Sequence, residues 1–262
     1  MEPESGVKMK LRAARNKLNA LQRSHDRFVA SDPYEVSAKQ YRVLEDPTLY
    51  VWSFCCVKKK RTPDERWTSL IDELAYHLRS ALDVMIHHLS IAPGRADPDG
   101  TGFPIASDPK YFDASLIRYL RDDERTFVKG VQPYGRPDDP LRVLAKMNNR
   151  LKHRTQMFAV EAVGFDKATL SNNFEVNLTS IDVVHITYAT PEWIDDGTEL
   201  LRIIFRRLDD VEPHVQVKMN FVIQIRLGDR TLGSDEPIGG LMSQMVARVE
   251  SIVDGLYALR PS

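Results

Sequence analysis

The apolar residues of this chain change their spacing twice, and that change limits the fold more than any other feature. Near the start, Val7, Leu11, Ala14, Leu18, Leu21, His25 and Phe28 recur at alternating four- and three-residue steps. Near the finish, Ile238, Met242, Met245, Val249, Ile252, Leu256 and Leu259 do the same. Such a stripe is the seam of a helix packed along its length. Between about residues 160 and 230 the period becomes two. Over 215–227, Val215, Val217, Met219, Phe221, Ile223, Ile225 and Leu227 face one way, while Gln216, Lys218, Asn220, Gln224 and Arg226 face the other. That alternation belongs to a strand with one wet face. Both periods in one chain predict an α+β fold: a helical, bundle-like part with two long terminal and two central helices, packed on an antiparallel β-sheet.

The remaining elements follow from local chemistry. Ser31-Asp32-Pro33 stops the first helix, and stretches 34–44 and 48–58, rich in Tyr, Val, Trp and Phe, predict a hairpin turning at Glu45-Asp46-Pro47. Thr62-Pro63-Asp64-Glu65 is a capping box that should open the longest helix, whose apolar face runs from Trp67 to Leu89 and ends before Pro93-Gly94. Residues 95–140 are proline-punctuated, with helical patches at 112–120 and around Phe127, and Asp139-Pro140 starts a helix reaching about Phe158. Strands are predicted at 181–189, 199–208 and 215–227, and Ser234-Asp235-Glu236-Pro237 opens the last helix. The organisation expected is a single domain over 1–262. It has a mainly helical part, 1–158, that includes the hairpin near 34–58, then a β part, 160–230, and a C-terminal helix, 235–259, packing back.

Composition excludes function classes without selecting one. The 262 residues carry 36 Lys+Arg against 37 Asp+Glu, a formal charge of −1, so no overall field draws the chain to nucleic acid or an anionic membrane. No run approaches the ~20 apolar residues of a spanning helix. The N-terminus is charged from its second residue and lacks the apolar core of a signal peptide. The only two cysteines, Cys55 and Cys56, are adjacent and make no disulfide framework. A cytoplasmic protein with no membrane partner is expected. The common nucleotide, hydrolase and zinc signatures are absent from the sequence, so neither cofactor nor metal is expected.

Two helical stripes carry candidate chemistry. Asp72, Arg79, Asp83 and His87 lie on one stripe of the long helix, with Tyr76 beside it, and the four-residue steps allow Arg79–Asp83 and Asp83–His87 pairing. An Asp-oriented His beside an Arg could serve as base and anion clamp; an ion-pair stripe that fixes packing is the structural alternative. His77 and His88 flank the apolar face, with Glu73 four residues before His77, but no third metal ligand is legible. On the helix from Leu141, Arg142, Lys146, Arg150, Lys152, His153 and Arg154 concentrate positive charge, and Asn149 lies four before His153. There His153 could act on a ribose 2′-hydroxyl while Lys152, Arg154 and Arg79 hold phosphate, which is metal-independent ribonuclease chemistry. Ribonuclease toxins of the HEPN type place an Arg four to six residues before their His, whereas only two residues separate Arg150 from His153. Lys58-Lys59-Lys60-Arg61 reads as a solvated turn, and Asp97-Pro98-Asp99-Gly100-Thr101-Gly102 with Asp108 reads as a Gly/Asp turn that departs from the calcium-loop pattern.

Five short motifs keep a recognisable order: His77-Leu78-Arg79-Ser80-Ala81-Leu82-Asp83, Phe103-Pro104-Ile105, Gln132-Pro133-Tyr134, Asp139-Pro140-Leu141, and Asn148-Asn149 leading to Lys152-His153-Arg154. Over residues 67–154 the chain thereby resembles a family of uncharacterised bacterial and phage proteins marked by an LRSALD helix and a later DKHR, with Leu151 where that pattern carries the acid. The resemblance transfers no activity. It implies that Arg79, Asp83, Lys152, His153 and Arg154 share one neighbourhood, with their two helices side by side. The function expected is non-catalytic binding or interaction, as a homodimer joined through the terminal helices and with a further protein partner allowed. The alternative is the toxin- or defence-type ribonuclease, with RNA as its substrate. Candidate catalytic residues are His153, Arg79 and Asp83, and candidate phosphate or ligand contacts are Lys152, Arg154 and Asn149.

Overall fold

A computed structural model describes residues 3–59, 65–91, 98–152, 159–165, 174–176, 181–188, 196–208, 215–217, 221–227 and 237–260. Among them the fold is α+β, with five α-helices and a four-stranded antiparallel sheet. In chain order the elements are α1 (Pro3–Ala30), β1 (Tyr34–Arg42), β2 (Leu49–Lys58), α2 (Arg66–Ser90), α3 (Asp122–Gly130), α4 (Pro140–Lys152), β3 (Ala159–Phe165), β4 (Phe174–Val176), β5 (Ile181–Tyr188), β6 (Glu199–Arg207), β7 (Val215–Val217), β8 (Phe221–Leu227) and α5 (Ile238–Ala258). The chain divides into two compact units. One comprises Met1–His25, Asp64–Val160 and Ile225–Ser262, and the other Asp26–Pro63 and Glu161–Gln224.

The helical unit is built around α2. Its apolar face, from Trp67 through Leu74, Leu78, Leu82 and Met85 to Leu89, is buried, and α2 packs against both α4 and α5, which also touch each other. Burying side chains of this size contributes roughly 1.5–3 kcal/mol each. Along α1, Val7, Ala14, Leu18 and Leu21 are buried, and Trp67 Nε1 donates to Ser24 Oγ at 2.9 Å. On α5, Ile238, Met242, Met245, Val249, Ile252 and Leu256 are buried, and a side chain at Gly255 would collide with the Phe127 ring of α3. Both terminal seams are therefore covered within one chain. An ion pair between Arg15 and Glu250 links the two helices directly.

Helix α2 departs from expectation at its start. It begins at Arg66, and Glu65 occupies the cap position in helical conformation with no side-chain cap bond, so it does not complete a capping box. Thr62 and Pro63 lie outside the described residues. Helix α4 opens as predicted: Asp139 Oδ1 accepts from Leu141 N at 3.0 Å, with Pro140 at the first helical position. Its stretch beyond Lys152 lies outside the described residues. The patch at 112–120 is a short 3₁₀ turn at Ala114–Ile117.

In the other unit the strand order is β1-β2-β6-β5, every neighbour antiparallel. The predicted hairpin forms, and Asp46 Oδ1 fixes its turn by accepting from Thr48 N at 2.9 Å and Thr48 Oγ1 at 2.6 Å. Registers Trp52↔Ile203 and Phe54↔Leu201 collect a core of Trp52, Phe54, Ile181, Leu201, Ile203 and Phe205, with the Trp52 and Phe205 rings stacked at 4.1 Å. Within the 215–227 stretch, Val215–Val217 forms β7, which pairs with β4, and Phe221–Leu227 forms β8, which pairs with β3; residues 218–220 lie outside the described residues. No helix among the described residues is long and apolar enough to cross a membrane.

Candidate functional site

Three turns into α2, Arg79 and Asp83 form a two-bond ion pair, with Nε–Oδ2 at 3.0 Å and Nη2–Oδ1 at 2.9 Å. Their four-residue spacing on the helix sets this up. The carboxylate also reaches beyond its own helix, because Oδ1 accepts from the backbone N–H of Phe103 at 2.9 Å. Gly102 lets the loop come this close, since a Cβ there would stand 3.2 Å from the same oxygen. One turn on, His87 Nδ1 lies 3.3 Å from Thr101 Oγ1, whose proton goes to the Pro98 carbonyl at 3.1 Å. The imidazole therefore donates. The stripe read as a possible base and anion clamp holds loop 98–103 onto the helix.

Other motif residues hold the same irregular segment. Gln132, almost fully buried, donates to the carbonyls of Pro104 at 2.8 Å and Val128 at 3.0 Å and accepts from Ala106 N at 3.0 Å. Asp139, besides capping α4, meets Arg248 Nη2 at 3.4 Å, and that guanidinium also reaches the Val131 carbonyl at 2.9 Å. Glu124, inaccessible to solvent, accepts from Arg121 N at 2.9 Å and from Arg260 Nε at 2.5 Å, while Arg260 Nη2 donates to the Leu89 carbonyl at 2.7 Å. Buried backbone polar groups need partners, and here the side chains supply them. Nothing in the sequence marks Glu124 and Arg260, because a pairing across 136 positions leaves no local signal.

Acid–base character sits elsewhere on α2. Asp72 is half-buried, its Oδ1 is buried without a hydrogen-bond partner, and burial raises its pKa to about 6. On the opposite flank, burial first and the nearby Lys10 and Lys17 second push His77 below its ordinary value. Burial and then His87 do the same to His88. Among the described residues no three acidic, His or Cys side chains converge as a metal site would require.

The second stripe is only partly in view. Asn149 is exposed on α4, Lys152 is that helix's last residue, and His153 and Arg154 lie outside the described residues. Helices α2 and α4 do pack side by side. Of the two turn motifs, Asp108 caps the Pro109–Tyr111 turn by accepting from Lys110 N at 2.9 Å, and Asp97 lies outside the described residues. Lys59 pairs with Asp32 at 2.6 Å, whereas Lys60 and Arg61 lie outside the described residues.

The sheet brings together a polar cluster the sequence did not announce. A register shift at Phe54/Cys55 places Glu199 beside Cys55. Glu199 accepts from Ser53 Oγ and pairs with Arg202 Nε at 2.9 Å, and Cys55 Sγ lies 3.5 Å from Ser53 Oγ. A bulge re-aims side chains in this way, and its position is not legible in a pattern of alternation. Comparison of the chain with protein-family models, with curated proteins and with solved structures finds no match.

Proposed function

We propose that this is a bacterial or phage protein of the cytoplasm that works by binding, without catalysis and without a cofactor. The observation that supports it is the use of Asp83. A carboxylate shared between Arg79 and the Phe103 amide is already hydrogen-bonded on both oxygens. In that state both oxygens are engaged in orienting a loop. The balanced charge and the buried anchors at Gln132, Glu124 and Asp139 fit the same role, a helical frame that presents surface.

One observation favours the ribonuclease as a second reading. Asp72, seven residues before Arg79 on the same stripe of α2, carries a pKa of about 6 and an unpartnered oxygen, the character of a general acid or base near neutral pH. In that reading His153, Lys152, Arg154 and Arg79 would hold and cleave RNA, with Asn149 beside them.

Incubation of labelled total RNA with chelator present separates the two. Binding without catalysis predicts intact RNA with wild type, His153→Ala and Asp72→Asn alike. Cleavage by wild type that is lost in His153→Ala establishes the ribonuclease instead.

A further inference from the structure

The two edges of the four-stranded sheet are not alike. Strand β1 ends one side, and its exposed half carries Lys39 and Arg42, charges that oppose the approach of another strand. Strand β5 ends the other. Beyond its first residue it offers one formal charge, Asp182, and exposes Val184 (51%), Ile186 (38%) and Tyr188 (43%). Among the described residues no strand pairs with its outer side.

We infer that β5 is the interface of a homodimer, pairing antiparallel with β5 of a second copy to make one continuous eight-stranded sheet. The occupant follows from self-complementarity. When Asp182 lies opposite His185 of the partner subunit, the two-fold repeats the contact, giving two carboxylate–imidazole pairs. In the same register Ile181 meets Ile186 of the partner subunit, and Val183 meets Val184 of the partner subunit. The faces agree: Asp182 and His185 are registered against Arg206 and Ile204, two positions on one face of β6, while Ile181 and Ile186 oppose Arg207 and Ile203 on the other. A two-fold perpendicular to the sheet keeps each face on its own side, so acid meets imidazole and apolar meets apolar. The bulge between Val183 and His185 contributes by turning Val184 outward. A foreign strand would have to reproduce this pattern, and pairing β5 with the β1 edge of another copy would not close, producing filaments instead. The inference stands whether or not the chain cleaves RNA.

Light scattering across a concentration series tests it on the full chain, with circular dichroism to confirm folding. Wild type is expected to be a dimer. His185→Asp places two carboxylates opposite each other and is expected to weaken association at least tenfold. The swap Asp182→His with His185→Asp restores the opposite pairs and is expected to recover the dimer. Ile186→Lys, directed at the apolar face, is expected to give monomer, and Met9→Lys on the exposed side of α1 to leave the dimer intact. A monomeric wild type, open-ended growth with concentration, a dimer indifferent to His185→Asp, or failure of the swap to rescue would each overturn the inference.

Discussion

The helical unit and the sheet unit satisfy their backbones in different ways, and the difference says where function can sit. The sheet does so through its ladders, and among the described residues of its strands Ser53 is the one buried polar side chain. The helical unit contains the long stretch between α2 and α4, whose described residues, 98–139, form no ladder. It buries Glu124, Gln132, Asp139 and Ser90, and the first three accept from backbone amides. These buried polar residues of the helical unit serve as anchors for backbone that lacks ladder partners. The sheet unit reads in sequence as plain alternation, yet among the described residues β5 has no strand on its outer side.

The largest effect should come from the most buried anchor. Glu124→Ala leaves the Arg121 amide and the Arg260 guanidinium without their acceptor, and is expected to destabilise the protein by about 3 kcal/mol in urea unfolding. Asp83→Ala frees both Arg79 and the Phe103 amide and should cost about 2 kcal/mol. In the sheet unit, Lys39→Ala on the exposed half of β1 should change stability by less than ~0.5 kcal/mol. A sheet-face substitution as costly as those in the helical unit would break the comparison.

Asp72 sharpens the comparison through pH. Its pKa is raised from the ordinary 3.8 to about 6, so the folded state binds its proton more tightly than the unfolded state. The sign follows: the stability associated with the protonated carboxyl is present below pH ~4 and is lost as pH rises through about 6. Asp72→Asn removes that loss. After discounting for the solvent that reaches this half-buried group, the variant should gain ~1 kcal/mol at pH 7 and nothing at pH 4, measured by thermal melts. An equal gain at both values would remove burial as the cause.

Much of the architecture was legible because period and caps are local. The seams of α1 and α5, the hairpin turn at Asp46 and the Asp139-Pro140 start of α4 each follow from neighbours within a few residues. What failed depended on distant partners. The 215–227 alternation does not disclose that β7 pairs with β4 and β8 with β3, because those partners are distant in the chain. The start of α2 differed because Glu65 occupies the cap position and not the third helical one. For the candidate site, the Arg79–Asp83 pair was legible from its four-residue step. Its second partner, the Phe103 amide twenty residues on, was not, and that bond is the anchor between the loop and α2. The raised pKa of Asp72 follows from burial, which its place on a polar stripe did not disclose.

The most direct test of that anchor is amide hydrogen exchange at Phe103 in wild type and in Asp83→Ala. The substitution is expected to remove protection at Phe103 while Trp52 and Ile203, in the paired centre of the sheet, exchange as before. Unchanged protection at Phe103 would contradict the anchoring role, because Asp83 would then be free for some other work.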